Sequence, residues 1–229
     1  MSADLPTWPS PPSVGGTNTP SQNVAITTPG GNPILAVAVV PHGSTVTSCI
    51  STLSGTFGSP IATGVSIGNV DLYAWKLENA TAGSDTITVN VGATTQFWGM
   101  AAGAVTGSSG TDGTQYTGWN NQSSTGTTRS SASLTPSSTG LIVGVCYIDD
   151  NGNTGAVDTG NGFSALSPSS HFWAFGTGNL FAWVEKKSIS SATAATFPSV
   201  GSTLNSGTFA IIFADAGGSG SASICWVHA

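Results

Sequence analysis

Charged residues are scarce in this chain. Only 6% of its 229 residues are charged, whereas about 25% is usual in soluble domains. The four cations, Lys76, Arg129, Lys186 and Lys187, form no long cluster, and ten acidic residues give a formal net charge of −6. Because nucleic acids and anionic membrane surfaces are bound through clustered cations, the composition predicts neither partner.

Long apolar runs and paired cysteines are also missing. The longest apolar run, residues 34–40, is far shorter than the roughly 20 residues of a membrane-spanning helix. The cysteines, Cys49, Cys146 and Cys225, are odd in number and include no C-x-x-C pair, so we expect neither a zinc site nor a closed disulfide set. The first residues have no basic region followed by an apolar one, which predicts no secretory signal.

Glycine, hydroxyl-bearing residues and β-branched residues make up most of what remains. Gly, Pro and β-branched residues interrupt every window that could form a helix, whereas residues 86–91 alternate apolar and polar side chains as a half-buried strand does. We therefore predict an all-β fold of the antiparallel β-sandwich or jelly-roll type. The predicted strands are 24–28, 34–40, 46–52, 70–77, 86–91, 97–105, 132–135, 141–148, 172–175, 180–186, 193–197, 208–214 and 224–227.

Three blocks of sequence occur twice at nearly one spacing. LYAW at 72–75 returns as LFAW at 180–183, and residues 99–105 align with 207–213, both at an offset of 108. A Thr-Pro turn and the apolar strand after it, beginning at Ile34, return at Leu141 with an offset of 107. The order and spacing predict two tandem repeats whose strands superpose, with Trp75 over Trp183 and Val105 over Phe213.

These patterns divide the chain into five parts. We predict an extended Pro-rich arm at 1–21, a first β repeat at 22–107, a Gly/Ser/Thr linker at 108–130, a second β repeat at 131–217 and a C-terminal strand at 218–229. One compact body is favoured over two tandem sandwiches, because a small sheet with so few charges would leave its edges open to association.

The arm is the first candidate interaction site. Proline has no amide donor and a fixed φ, so a Pro-rich segment is extended and cannot join the middle of a sheet. We expect residues 1–20 to lie on another subunit, with Trp8 in an apolar pocket there. The predicted interface residues are Trp8, Pro9, Pro11 and Pro12.

Aromatic residues beside amides form an alternative site for carbohydrate. Trp119 lies in a turn-rich segment, and aromatic rings of this kind stack on sugars while neighbouring amides bind hydroxyl groups. The candidate residues are Tyr116, Trp119, Asn120, Asn121 and Gln122. The competing interpretation is that Trp119 packs against its own domain or a protein partner.

The remaining motifs predict no catalytic residue, metal site or cofactor. Residues 64–68 match G-x-S-x-G, but a strand follows Ser66 instead of the helix that hydrolases need. Residues 149–153 place oxygen ligands at alternate positions, yet the glycine and glutamate of an EF-hand loop are missing. A hairpin turn is the favoured interpretation, with a loose cation site including Asp158 as the alternative.

The repeat resembles the Gly/Thr-rich β-sandwich modules of phage virion proteins and large bacterial surface proteins. The apolar strand at 34–40, LYAWKLENATAGSDTITVNV at 72–91, LFAWVEKK at 180–187 and TFAIIFADAG at 208–217 carry this resemblance over about residues 22–217. The resemblance implies a structural or binding module with no catalytic residues to transfer.

From the resemblance and the uncharged surface we expect a non-enzymatic virion structural protein, either a capsid decoration (cement) protein or a tail-associated component. Its expected partners are coat or tail protein subunits, in a homo-oligomer or a larger assembly. The alternative is a carbohydrate-binding adhesin or receptor-binding module outside the cell or at its surface.

Overall fold

The computed structural model describes residues 1–5, 13–15, 20–67, 70–92, 98–118, 128–149, 158–165, 180–198 and 206–217. In these residues sixteen strands form four antiparallel sheets, and the one helical element is a 3-10 turn, Thr159–Asn161. The predicted all-β, antiparallel fold class is therefore confirmed.

Two sheets belong to the first half of the chain. The first core sheet has the spatial order β1 (Ser13–Gly15), β9 (Trp98–Ala104), β3 (Ile34–Pro41), β7 (Val70–Leu77) and β6 (Ala62–Ile67). The first cover sheet has the order β2 (Ser21–Thr28), β8 (Gly83–Val91), β4 (Val46–Ser51) and β5 (Gly55–Thr56).

The second half of the chain repeats this division with a smaller cover. The second core sheet has the order β10 (Ser108–Gly118), β16 (Ser206–Asp215), β12 (Gly140–Asp149), β14 (Leu180–Ile189) and β13 (Ser164–Ala165). Only two short strands, β11 (Thr128–Ser130) and β15 (Thr196–Pro198), form the described part of the second cover sheet.

The four sheets are stacked with the two core sheets in the middle. A central core joins them through side chains such as Val37 of β3, Val145 of β12 and Phe209 of β16. All eight residues of β3 are buried, whereas β8 in the first cover sheet alternates buried and more exposed residues. A strand buried on both faces reads as a continuous apolar run, which explains why ILAVAVV does not alternate.

Each core sheet has a second apolar core on its outer face. The first outer core contains Trp75, Trp98 and Met100, which pack against the inner face of the first cover sheet. The second outer core contains Ile142, Ile212 and other apolar side chains around Phe197 of β15.

The paired sequence blocks occupy matching places in the two core sheets. LYAW lies on β7 and LFAW on β14, and each strand is hydrogen-bonded to the middle strand of its sheet. Val105 and Phe213 both contribute to the central core, and Trp75 is buried. The side chain of Trp183 lies outside the described part, and duplication as the origin of this strand order stays a prediction.

The offset of 107 for the middle strands is wrong. It pairs Leu35 with Ile142, yet Leu35 faces the central core and Ile142 faces the second outer core. Side chains alternate between the two faces of a strand, so a shift by an odd number of residues exchanges the faces. An even offset is needed to align β3 with β12.

The predicted linker contains structure that its composition did not indicate. Residues 108–118 form β10, which pairs with β16 at the edge of the second core sheet. The strand predicted at 132–135 is replaced by the earlier β11 and by an isolated bridge between Leu134 and Thr193. Edge strands are held by main-chain pairing, so a segment rich in Gly, Ser and Thr can form one without apolar alternation.

Candidate functional site

Most of the predicted interaction residues lie outside the described part of the chain. These are Trp8, Pro9, Pro11 and Pro12 of the arm and Trp119, Asn120, Asn121 and Gln122 of the carbohydrate site. Tyr116 lies on the edge strand β10, where its backbone pairs with Ala210. Both site predictions stay predictions.

Ser66 lies in a strand that is followed by another strand. It belongs to β6, pairs with Asp71 and is followed by β7, which begins at Val70. The expectation that a strand follows the G-x-S-x-G match is confirmed. The sharp strand-to-helix turn that exposes a nucleophilic serine is thus replaced by a second strand.

Residues 1–5 bind to a site on the body of their own chain, which we call the seat. Asp4 and Thr106 exchange two main-chain hydrogen bonds of 2.8 and 2.7 Å, and the Ala3 N–H donates to Asp215 Oδ1 at 2.7 Å. The side chain of Leu5 is fully buried in the central core. The expectation that residues 1–20 lie on another subunit is therefore wrong for residues 1–5, because they bind the body of the same chain, with Ala3 and Leu5 buried and Met1 and Ser2 exposed.

A lysine and a glycine complete this seat. Lys186 Nζ is 2.6 Å from Asp4 Oδ1 and donates to the Leu5 carbonyl oxygen at 2.9 Å. Gly107 has a φ of +65°, and a Cβ atom there would collide with the Ser2 carbonyl oxygen. The seat thus needs glycine for its backbone conformation and for the close approach of residue 2.

A buried carboxylate cluster lies in the second outer core. Glu185 on β14 is fully buried. Its Oε2 accepts from the Asp158 N–H at 3.1 Å, and its Oε1 accepts from the Thr196 N–H at 2.9 Å. One side chain therefore connects the second core sheet to the 3-10 turn and to the second cover sheet.

Asp158 extends the cluster from the other side. Thr196 Oγ1 donates to its Oδ2, as does Asn161 Nδ2 at 2.5 Å, and the Asn161 N–H donates to Oδ1 at 3.2 Å. Burial alone would raise the pKa of Asp158, but these hydrogen bonds and the nearby Lys187 charge outweigh it, so its pKa lies below the usual value. Asp158 therefore carries its negative charge at neutral pH.

The pKa of Glu185 is shifted in the opposite direction to that of Asp158. Burial raises its pKa to about 8, the charge of Asp158 acts in the same direction, and the two amide donors and Lys187 oppose the increase. Two neighbouring carboxylates thus differ in protonation near neutral pH, Glu185 holding a proton and Asp158 being ionised.

A cation and a thiol lie beside the carboxylates. Arg129 of β11 is 1% exposed, and its charge acts on the buried Cys146 thiol of β12. Burial raises the pKa of Cys146, Arg129 opposes that increase and Glu185 adds to it. The thiol is therefore protonated and unreactive at neutral pH.

Sequence reasoning missed this cluster, although one signal for it was present. Glu185 follows the apolar run LFAWV on β14, where Ala182 and Val184 are buried in the central core. A carboxylate at such a position must find donors inside the protein, because burial without them is costly. The donors come from Asp158 and Thr196, which no local pattern connects to residue 185.

The remaining described carboxylates also bind within the chain. Asp85 accepts from Ser51 Oγ at 2.6 Å and Thr52 Oγ1 at 2.9 Å, and Asp71 lies 2.9 Å from His42 Nδ1. Further contacts join Glu78 to Thr111, Asp112 to Ser137, Asp4 to Lys186 and Asp215 to Ala3. Each carboxylate whose side chain the structure describes therefore connects two separate segments.

The described residues contain neither a metal-binding cluster nor a membrane-spanning helix. They contain no group of three or more His, Cys, Asp or Glu side chains placed to hold a metal ion. Within the same residues there is no helix with the length and apolar character needed to cross a membrane.

Comparisons with known proteins identify no family. No protein-family model matches the chain, and no curated protein matches it significantly. The vicilin of hazelnut, Corylus avellana, is similar at 8% identity and a TM-score of 0.22, over 93% of this chain and 86% of that chain. Oxalate decarboxylase from Bacillus subtilis at pH 4.6 is similar at 10% identity and a TM-score of 0.22, over 90% and 69% of the two chains. Likenesses at this TM-score carry no argument about fold or function.

Proposed function

We propose that this chain is a non-enzymatic structural protein of a virus particle, bound to the capsid as a decoration protein or to the tail. The observation that supports this most is the use of the carboxylates. The eight carboxylates whose side chains the structure describes bind other segments of the same chain. A catalytic carboxylate needs an oxygen directed at substrate, whereas these oxygens connect strands and loops.

The surface composition supports the same proposal. Because only 6% of residues are charged, contact with a neighbouring coat or tail subunit removes few charges from water. Both core sheets are covered, so the part that meets a partner is the Ser-, Thr- and Asn-rich exterior. Such an exterior suits broad contact with other protein subunits.

The test is to follow the chain through fractionation of a culture that makes it. Lysate and cell-free medium are separated on a density gradient, and the fractions are probed with an antibody against the purified protein. We expect the protein to band with nuclease-resistant nucleic acid and to label particles in immunogold electron microscopy. Recovery in the soluble or cell-envelope fractions, with unlabelled particles, would overturn the proposal.

The carbohydrate-binding alternative depends on Tyr116 and residues 119–122. Its sequence basis is an aromatic residue beside three amide side chains, and Tyr116 itself belongs to the edge strand β10. A glycan array with the intact protein tests it directly. Binding that a Trp119→Ala variant loses, together with exclusion from particles, would favour the adhesin.

A further inference from the structure

The first cover sheet ends in a long edge strand. Strand β2 pairs with β8 over all eight of its residues without a register shift. In the described part of the chain no strand is hydrogen-bonded along its other side, and β1 and β9 of the first core sheet pass close to it. An edge of this kind presents main-chain donors and acceptors that can pair with another strand.

The hydrogen-bonding pattern shows which residues present these groups. The Val91 N–H donates to the Pro20 carbonyl oxygen at 2.8 Å, so even-numbered residues from 20 to 28 bond to β8. In an antiparallel ladder, the residues between them direct N–H and C=O to the opposite side. Ser21, Asn23, Ala25 and Thr27 therefore present their main chain outward, and their side chains are exposed.

Other described edges are protected in ways that β2 is not. On β10 the Thr111 N–H donates to Glu78 Oε1, and Asp112 binds Ser137. Strand β6 has a register shift, and β5 and β13 have only two residues each. Charges, bulges and short strands are the usual protections of sheet edges. SQNVAITT has no charge, no proline and no bulge.

We propose that β2 pairs antiparallel with β2 of a second copy of this chain, joining two first cover sheets into one eight-stranded sheet. An uncharged edge favours pairing with a second copy of the same chain. A twofold axis places each charge near it opposite an identical charge, and β2 has no charge to be repelled in this way. The one acid that pairs with β2, Asp85 opposite Ile26, is buried and bound by Ser51 and Thr52. The inference does not depend on the proposed function.

The outward residues also define the register. With the axis at Val24, Asn23 of one copy faces Ala25 of the other, and Ser21 faces Thr27. All four outward residues of each strand are then used, giving about eight main-chain hydrogen bonds.

Charge substitutions test the pairing directly. The double variants Asn23→Lys/Ala25→Lys and Asn23→Glu/Ala25→Glu place like charges opposite each other, which should weaken dimerisation by about tenfold or more. An equimolar mixture should restore the dimer as a mixed species. Sedimentation equilibrium measures the mass, with one chain weighing 22.7 kDa. Thr88→Lys is the control, because Thr88 lies on the adjacent inner strand, paired with Asn23 and Ile50.

A proline substitution separates pairing from folding. The Ala25 N–H is not used in the β2–β8 ladder, so Ala25→Pro should remove one outward donor, abolish the dimer and leave the melting temperature close to wild type. Hydrogen exchange should show amides 21, 23, 25 and 27 protected in wild type only at concentrations where the dimer forms. A wild type that stays monomeric at near-millimolar concentration would overturn the proposal, as would protection independent of concentration or a dimer unaffected by these variants.

Discussion

The two core sheets have the same strand order but are covered in different ways. Four strands and an apolar outer core with two buried tryptophans cover the first. Two short strands cover the described part of the second, beside the cluster of Glu185 and Asp158. The difference teaches that a sheet face can be closed either by apolar burial or by a few polar side chains that bind the main chain of a small cover.

One pair of equivalent positions illustrates the contrast between the apolar and the polar cover. Leu77 on β7 and Glu185 on β14 are separated by the same 108 residues as the LYAW and LFAW blocks. Leu77 is partly buried against the first outer core, whereas Glu185 binds two backbone amides in the second. The contrast therefore predicts that truncation will have unequal effects at the two positions.

The largest effect is expected for Glu185→Ala. It leaves the buried amides of Asp158 and Thr196 without their acceptor, and we expect a loss of about 3–5 kcal/mol in the free energy of unfolding. Leu77→Ala should cost about 1–2 kcal/mol, because it removes a partly buried apolar side chain. Urea denaturation of both variants checks the pair. Equal losses would remove the distinction between the two covers.

The second prediction concerns pH and applies to the second cover alone. The folded-state pKa of Glu185 is about 8 against an ordinary value of 4.5, so between these values the folded protein binds more protons than the unfolded one. Its contribution to stability is complete below pH 4.5, falls as pH rises and is lost above pH 8, a change of a few kcal/mol.

Glu185→Gln is the non-titrating comparison for this pH dependence; it keeps one of the two acceptor oxygens and is less stable than wild type, so only the changes with pH are compared. It cannot titrate, so its free energy of unfolding should change less than that of wild type between pH 5 and pH 8. Asp158 has a lowered pKa, and its stabilisation is lost only as pH falls below the usual aspartate range, so it does not act in this window. Parallel pH curves for the two proteins would contradict the assignment.

The third prediction compares two glycines with similar backbone conformations. Gly107 and Gly43 have φ values of +65° and +79°, but only Gly107 has a neighbour, Ser2, where a Cβ atom would lie. Gly43→Ala should cost about 1 kcal/mol through backbone strain. Gly107→Ala should cost about 2 kcal/mol and release residues 1–5, which hydrogen exchange at Ala3 and Asp4 would detect. Unchanged protection would show that the seat tolerates a side chain.

The smallest effect is expected for a polar contact of the first half. His42 is 58% exposed beside the buried Asp71, which still accepts from the Gly43 N–H at 3.1 Å when the imidazole is removed. His42→Ala should therefore cost about 0.5 kcal/mol. Thr196→Val in the second half should cost about 1–2 kcal/mol, because it removes a donor to Asp158. Thermal melts of both variants test this order.

Strands with a strong apolar pattern could be predicted from the sequence. The bounds predicted for β7, residues 70–77, agree with the structure, and those for β3 and β12 differ by at most one residue at each end. Burial determines these strands, and burial leaves a pattern in the sequence. β10 and β11 were missed because pairing at an edge holds them, and pairing leaves a much weaker pattern.

The carboxylate cluster and the seat of residues 1–5 could not be predicted for a different reason. Glu185 depends on amides 27 and 11 residues away, and Ala3 depends on Asp215. These partners meet only after the sheets have stacked, so no local window contains both. The sequence showed an arm with little capacity for regular structure, but not that its first residues complete the central core.

The seat of residues 1–5 also determines when, during synthesis of the chain, these residues can bind. Ala3 is bound by Asp215, and Asp4 by Thr106 and Lys186, so the segment cannot settle until residues synthesised much later are in place. At roughly 5–20 residues per second, synthesis from Ala3 to Asp215 takes on the order of 10–40 seconds. Through that interval Leu5 stays exposed to water and to other nascent chains. Closure of the seat is therefore among the last events in the maturation of each newly made molecule.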